Sequence, residues 1–312
     1  MSGRAALVTG AGGFVCRHIV EALLVRGWHV LALDRAFDSA LRAQWAGRVV
    51  MIEGDAAQPP SLPVEVLVHG AALTATPEEA GLTPEAYLRE HLNTALDLLA
   101  WADAERVRRV LLVSSDAVFR ETPAGLLDED APVQPVGLYA IAKAALEHLA
   151  HTLRAEYGRD IAAIRLGSIY GYGELARPSR PHISRVGRMI QQALHEGQVT
   201  IDMNMPVRSW TYAPDIGAAA CALLEAPVLR HALYNVASEE TLLPGMIAQV
   251  FRAELPGIRI IEEWGAPSLD KRRHTLSSRR LREDVGFAAW TPFAQGIANT
   301  LTWHHAHTEV LP

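Results

Sequence analysis

Cysteine is nearly absent: Cys16 and Cys221 are the only two in 312 residues. That excludes a disulfide framework, and their separation offers no metal-ligand spacing. Also missing is any uninterrupted apolar stretch near the ~18 residues that a membrane helix needs. No charged and apolar leader with a small-residue cleavage site precedes the first apolar run, Ala5-Ala6-Leu7-Val8. Together these absences lead to the expectation of a cytoplasmic protein with reduced thiols and no membrane association. Basic charge is not in excess either. The formal net charge is −6 and the pI is near 6.1, so neither nucleic acid nor an anionic membrane is expected as a partner. Internal repeats and low-complexity segments are lacking as well.

What is present is an ordinary globular composition, 49% apolar and 21% charged, in a chain long enough for one large α/β unit or two lobes. Ala5 to Thr9 reads as a buried strand, followed by Gly10-Ala11-Gly12-Gly13-Phe14-Val15-Cys16 and an amphipathic helix from Arg17 to Arg26. A strand, a glycine turn and a helix make the setting of a dinucleotide loop: glycine admits a pyrophosphate to the backbone, and the helix start supplies N–H donors. A second strand, His29 to Leu33, ends at Asp34, where an acid can accept hydrogen bonds from a ribose diol. A carboxylate there repels a 2′-phosphate and favours NAD over NADP, while Arg35 beside it could pair with that phosphate.

Further strands follow at 49–53, ending in Gly54-Asp55, and at 64–69, running into Gly70-Ala71-Ala72. On spacing alone Asp55 reads equally well as a turn or cap aspartate and as an adenine contact. Thr83 and Pro84 open a helix reaching about Ala104. Arg109 to Val113 is a fifth strand ending Ser114-Ser115-Asp116, and Ile161 to Leu166 is a sixth. Between them, Tyr139 and Lys143 lie four apart at the start of a helix, on one face and one turn apart. A free phenol has a pKa of about 10. A neighbouring ammonium favours the phenolate and brings the tyrosine toward acid/base work. Such pairs are common on helices, so this one gains meaning only from its surroundings.

The βαβα rhythm over residues 4–170 predicts an α/β fold: a doubly wound parallel (Rossmann) sheet, with ligands gathered at the carboxyl ends of its strands. After Tyr170-Gly171 the rhythm loosens through a proline- and arginine-rich stretch, Arg177 to Arg188. The expected organisation is a cofactor-binding domain over 1–170. A smaller, mainly substrate-binding C-terminal lobe follows over 171–312, part of which could return to the sheet.

Thr9-Gly10-Ala11-Gly12-Gly13-Phe14-Val15, Asp34, Gly54-Asp55, Ser114 to Phe119 and Tyr139-x-x-x-Lys143 resemble the extended short-chain dehydrogenases/reductases. Within these they resemble the NAD-dependent epimerase/dehydratase family, which acts largely on nucleotide sugars. The likeness continues through Arg165 to Gly171, Arg208 to Asp215, Tyr234-Asn235-Val236 and Asp284 to Pro292. It implies Tyr139 as catalytic acid/base, Lys143 as its cationic partner and ribose ligand, and Ser115 as the donor to the reacting oxygen. It further implies Gly10, Gly13, Phe14 and Val15 along the pyrophosphate, Asp34 on the adenosine ribose, Asp55 and Ala56 flanking adenine, and Ala71 and Ala72 along the dinucleotide. Asp116, Ser168 and Arg208 would contact substrate, with Arg273 as a second diphosphate arginine. The helices near 85–104 and 139–157 resemble those that pair in a homodimer.

Four departures from the family pattern stand out: Cys16 for the third loop glycine, Phe119-Arg120 for Tyr-Gly, Ser168 for asparagine, and Asp202 to Pro206 for Gly-Asp-Gly. Three of them fall on the substrate side. The first implies that helix and strand approach less closely at the cofactor loop. Asp116-Ala117 supplies half of the Asp-Glu pair of dehydratases, which favours epimerisation or oxidation/reduction over elimination. The expected activity is reversible hydride transfer at a sugar or nucleotide-sugar carbon. A smaller sugar acid, lactone or carbonyl substrate is one alternative, and a non-catalytic NAD-sensing module another. His304-His305-Ala306-His307 has no partner ligands elsewhere in the sequence and reads as a helix end rather than a metal site.

Overall fold

The computed structural model describes residues 4–119, 125–265 and 274–307. Seven parallel strands form its central sheet. Five come early: β1 (Ala5–Thr9), β2 (His29–Asp34), β3 (Val50–Glu53), β4 (Val66–His69) and β5 (Arg109–Ser115). With the strands Ile161–Leu166 and Leu233–Val236 they run in the order Leu233–Val236, Ile161–Leu166, β5, β4, β1, β2, β3. Strand order reverses between β1 and β4, so the carboxyl ends of these two strands open the crevice where ligands bind in doubly wound sheets.

Neighbouring residues on a strand face opposite sides of the sheet. Ala6 and Val8 of β1 therefore pack into a core with α1 (Phe14–Val25), α2 (Ser39–Trp45) and the helix Ala213–Glu225. Leu7 between them faces a second core under α3 (Pro84–Ala104) and α4 (Leu138–Tyr157). Both faces are dry, which explains why the strands read as continuous apolar runs. Residues on both sides of position 170 build this layered unit. Leu233–Val236 pairs with Ile161–Leu166 at the edge, and the helix Ala213–Glu225 crosses α1 so closely that a Cβ on Gly217 would stand 2.3 Å from the His18 carbonyl oxygen. A further core joins the helices Arg185–Glu196, Pro244–Glu254 and Phe293–Ala306 to the strand Gln198–Asp202.

Thr83 caps α3, its hydroxyl accepting from the Ala86 N–H, and Pro84 takes the first helical position. The first helix differs from expectation. It starts at Phe14 rather than Arg17, because the extended Gly13 serves as its N-cap and the glycine turn feeds directly into the helix. The helix α2 is absent from the sequence reading altogether, although Asp38 marks its start by accepting from the Leu41 N–H.

Cys16 is 3% exposed and packs where α1 meets the end of β4. The close approach that a third loop glycine gives is met from the other side, since a Cβ on Gly70 would lie 2.1 Å from the Cys16 sulfur. Gly70→Ala therefore overpacks this contact and is expected to cost about 1–3 kcal/mol of stability. The added substitution Cys16→Gly should restore most of the loss, as read by chemical denaturation of both variants.

Candidate active site

The glycine turn leaves β1 with Gly10 in the left-handed region, φ 68°, where its missing Cβ would meet the Ala71 nitrogen at 2.6 Å. A side chain there would fill the crevice between the β1 and β4 turns, so the cradle suits a group lying against bare backbone. Asp34 at the end of β2 accepts from the Gly12 N–H at 2.9 Å, which holds its carboxylate beside the turn. Asp55 caps its own turn through the Ala57 N–H at 3.0 Å and also lies 3.7 Å from Arg35. The turn role and a place in the crevice are thus both realised. Arg35 also pairs with Glu90, so its charge is shared between two acids.

Gly10, Gly13, Phe14, Val15, Asp34, Arg35, Asp55, Ala56, Ala71 and Ala72 all line one cavity of about 1010 Å³, and so do Ser115, Tyr139 and Lys143. Three residues expected at the substrate end do not line it. Asp116, Ser168 and Arg208 sit just beyond, with Asp116 Oδ1 3.5 Å from Ser115 Oγ and Arg208 Nη1 donating to Ser168 Oγ at 3.2 Å. Arg120 and Arg273 lie outside the described residues. Among the described residues no group of three histidine, cysteine or acidic side chains is placed to hold a metal ion. No described helix is long and apolar enough to cross a membrane.

A buried network sets the spacing of the reacting groups. Glu147, one turn after Lys143 on α4, accepts from Arg165 at 3.0 and 2.7 Å and from the Ser114 hydroxyl at 2.6 Å. Lys143 donates to the Val113 carbonyl at 2.8 Å. The first turns of α4 are thus bolted to β5 and to Ile161–Leu166, and Tyr139 and Ser115 line the same cavity.

Sequence spacing predicts that Lys143 draws the phenol's pKa down, and the structure differs. Enclosure by protein pushes Tyr139 up to about 12, and the Ser115 side chain and the Arg180 charge only partly oppose it. Burial also pulls Lys143 down to about 8, while the charges of Cys16 and Glu147 pull the other way. The ammonium sits 5.6 Å from the phenol ring centre, committed to Val113.

Several cavity residues escape sequence reasoning. His91 of α3 meets Tyr139 edge to face at 6.0 Å, and burial, then the Lys143 charge, lowers its pKa to about 4. It is therefore neutral at physiological pH. A strap over 175–181 lies along the cleft and reaches the glycine turn. Ser179 accepts from the Thr74 N–H at 2.8 Å, Arg180 lies 5.0 Å over the Phe14 ring, and Arg177 pairs with Asp38 at 2.6 Å. Asp38 also receives Arg17 at 3.0 Å. The only sequence signals were the density of arginine and proline in this stretch and the cap position of Asp38.

The model of the NAD dependent epimerase/dehydratase family matches residues 6–237. The chain is 25% identical over 319 residues to a dTDP-glucose 4,6-dehydratase from Streptomyces griseus, covering 96% of this chain and 94% of that one. It is 26% identical over 337 residues to a dTDP-4-dehydro-6-deoxy-D-allose reductase from Streptomyces bikiniensis, covering 98% of both. Among solved structures it superposes on MoeE5 in complex with UDP-glucuronic acid and NAD with a TM-score of 0.79, at 25% identity and with 97% and 99% of the two chains covered.

The cleft residues fit NAD, and the strap's hold on Asp38 bears on how long it stays. Arg177→Ala removes a half-buried ion pair and is expected to speed NAD dissociation about three- to tenfold. Stopped-flow displacement of the bound dinucleotide measures that rate.

Proposed function

The chain belongs to the NAD-dependent epimerase/dehydratase family. On that premise we propose that it moves a hydride reversibly between NAD and a secondary alcohol or ketone carbon of a nucleotide sugar, as an epimerase or a dehydrogenase/reductase. One observation supports this reading most. Ser115, Tyr139 and Lys143 line the same cavity as the glycine turn and Asp34, so a carbinol held by the first set lies within reach of a dinucleotide held by the second. Bound NAD supplies the hydride acceptor at its nicotinamide ring.

The remaining work falls to the protein. Ser115 and Tyr139 hydroxyls grip the substrate oxygen and orient its carbon. With a pKa of about 12, Tyr139 stays protonated in the free protein and is the proton donor when a ketone is reduced. In the oxidising direction it accepts the alcohol's proton, with the Arg180 charge and the positive charge of oxidised NAD favouring the phenolate. His91, neutral and walled into the same site, adds no competing positive charge. The buried Arg208 and the half-buried Ser168, beyond Ser115, are suited to the diphosphate and sugar of the substrate.

The apolar residues Leu96 of α3 and Ile141 of α4 are 50% and 44% exposed. They support a homodimer built on these two helices, which sedimentation equilibrium tests directly: a monomer at micromolar concentration overturns it.

Incubation with UDP- and dTDP-sugars should yield NADH absorbance or an inverted isomer. Tyr139→Phe should lower that turnover roughly 10²–10⁴-fold while NAD still binds. Undiminished turnover by the variant removes the mechanism. Thermal unfolding with UDP, GDP and dTDP identifies the substrate class. Stabilisation by one of them supports a nucleotide-sugar site, whereas no response to any favours a smaller sugar acid, lactone or carbonyl compound.

A further inference from the structure

A second cavity, of about 720 Å³, lies beside α4 and the loop that enters the edge strand Leu233–Val236, and it shares no lining residue with the nucleotide cleft. Its charge differs from that of the whole chain, which is −6. Among the described residues that line it, Arg154, Arg165, Arg230 and Arg280 outnumber three carboxylates, and three histidines join them.

Two of its lining side chains are buried, and each keeps one polar atom with no hydrogen-bond partner among the described residues. Arg165, 1% exposed, gives Nε and Nη2 to Glu147 and lays its guanidinium 4.4 Å over the Phe119 ring, but its Nη1 has no acceptor. Glu129, 5% exposed, accepts from the Asn235 N–H at 2.9 Å with Oε1. Its Oε2 accepts no hydrogen bond and has Arg280 Nε 3.8 Å away. An unmet N–H and an unmet carboxylate oxygen are costly in a buried setting. They also ask for opposite partners, an accepting oxygen for the first and a donating hydroxyl for the second.

We propose that this cavity binds a small phosphorylated polyol, a sugar phosphate by chemical class. Its phosphate oxygens take the Arg165 Nη1 donor and the charge of the neighbouring arginines, a match that guanidinium groups make well. One of its hydroxyls donates to Glu129 Oε2. Arg230 stands at the rim with its side chain 72% exposed and Asp284 3.8 Å away, free to turn toward the phosphate. Neither a bare anion nor a neutral sugar meets both demands. Sulfate has no O–H to give Glu129, and glucose has no charge for the arginines. The site is independent of the proposed hydride transfer, although Glu147 lines it and receives the Ser114 hydroxyl from the cleft side. Arg165, which holds Glu147, is therefore left intact in the test.

Isothermal titration of the full chain, saturated with NAD so that the glycine-turn cradle is filled, reads the affinity for glucose 6-phosphate and, separately, glycerol 3-phosphate. At least one of them is expected to bind, with sulfate and glucose at least about tenfold weaker. Burial raises the Glu129 pKa, so an uncharged amide is a mild replacement there. Glu129→Gln should weaken the phosphate ester about 10- to 100-fold by removing the acceptor, and Arg230→Ala about three- to tenfold, while both variants bind NAD as before. The exposed Arg230 serves if the Glu129 variant does not fold. Unaltered ester binding in either folded variant overturns the site, as does sulfate or glucose binding as tightly as the ester, or no binding of either ester to the wild type.

Discussion

The catalytic geometry depends on one buried ion pair. Glu147 and Arg165, 6% and 1% exposed at their side chains, join α4 to the strand Ile161–Leu166, and Ser114 ties the same carboxylate to β5. Burying two charges carries a large desolvation penalty that their attraction offsets only when the geometry is good and the remaining valences are met. Here the carboxylate has both: a two-pronged guanidinium and a hydroxyl. Its main effect is positional. Ser115 follows Ser114, and Lys143 precedes Glu147 by one helical turn, so the network sets how far Tyr139 stands from Ser115. A hydrophobic replacement could keep the helix packed but would not dictate its register along the strands.

Much of the fold was legible in the sequence because the strands are buried on both faces and alternate with helices. β1, β2 and the strand Ile161–Leu166 carry apolar runs that no surface element needs. The carboxyl-end residues, Gly10, Asp34, Asp55, Ala71 and Ser115, were legible for the same reason: each immediately follows such a run. What escaped were partners set by tertiary contact. Asp38 looks like a mere cap, yet it receives Arg17 and Arg177. Ala117 after Asp116 suggests half a set of acids, and nothing in the linear order reveals His274 beside it.

Electrostatics were the least legible. A tyrosine and a lysine one turn apart suggest mutual charge stabilisation, but burial dominates both groups and pushes them toward their neutral forms, about 12 for the phenol and about 8 for the amine. Enclosure by protein resists charge on both groups. Lys143 is one of just two lysines in the chain, the other being Lys271. Arginine does the cationic work nearly everywhere else, and the compact ammonium stands where it donates to the Val113 carbonyl.

The edge strand Leu233–Val236 and the helix Ala213–Glu225 also constrain how the molecule comes into being. A ribosome that has released only the first 170 residues has made six of the seven sheet strands, but the helix meant to cover α1 and the last strand of the sheet are still unsynthesised. The apolar side of α1 and the outer edge of Ile161–Leu166 therefore wait, exposed, for later sequence. Long loops must close before these contacts form, which slows folding. These surfaces are covered only once residues 213–236 have been made.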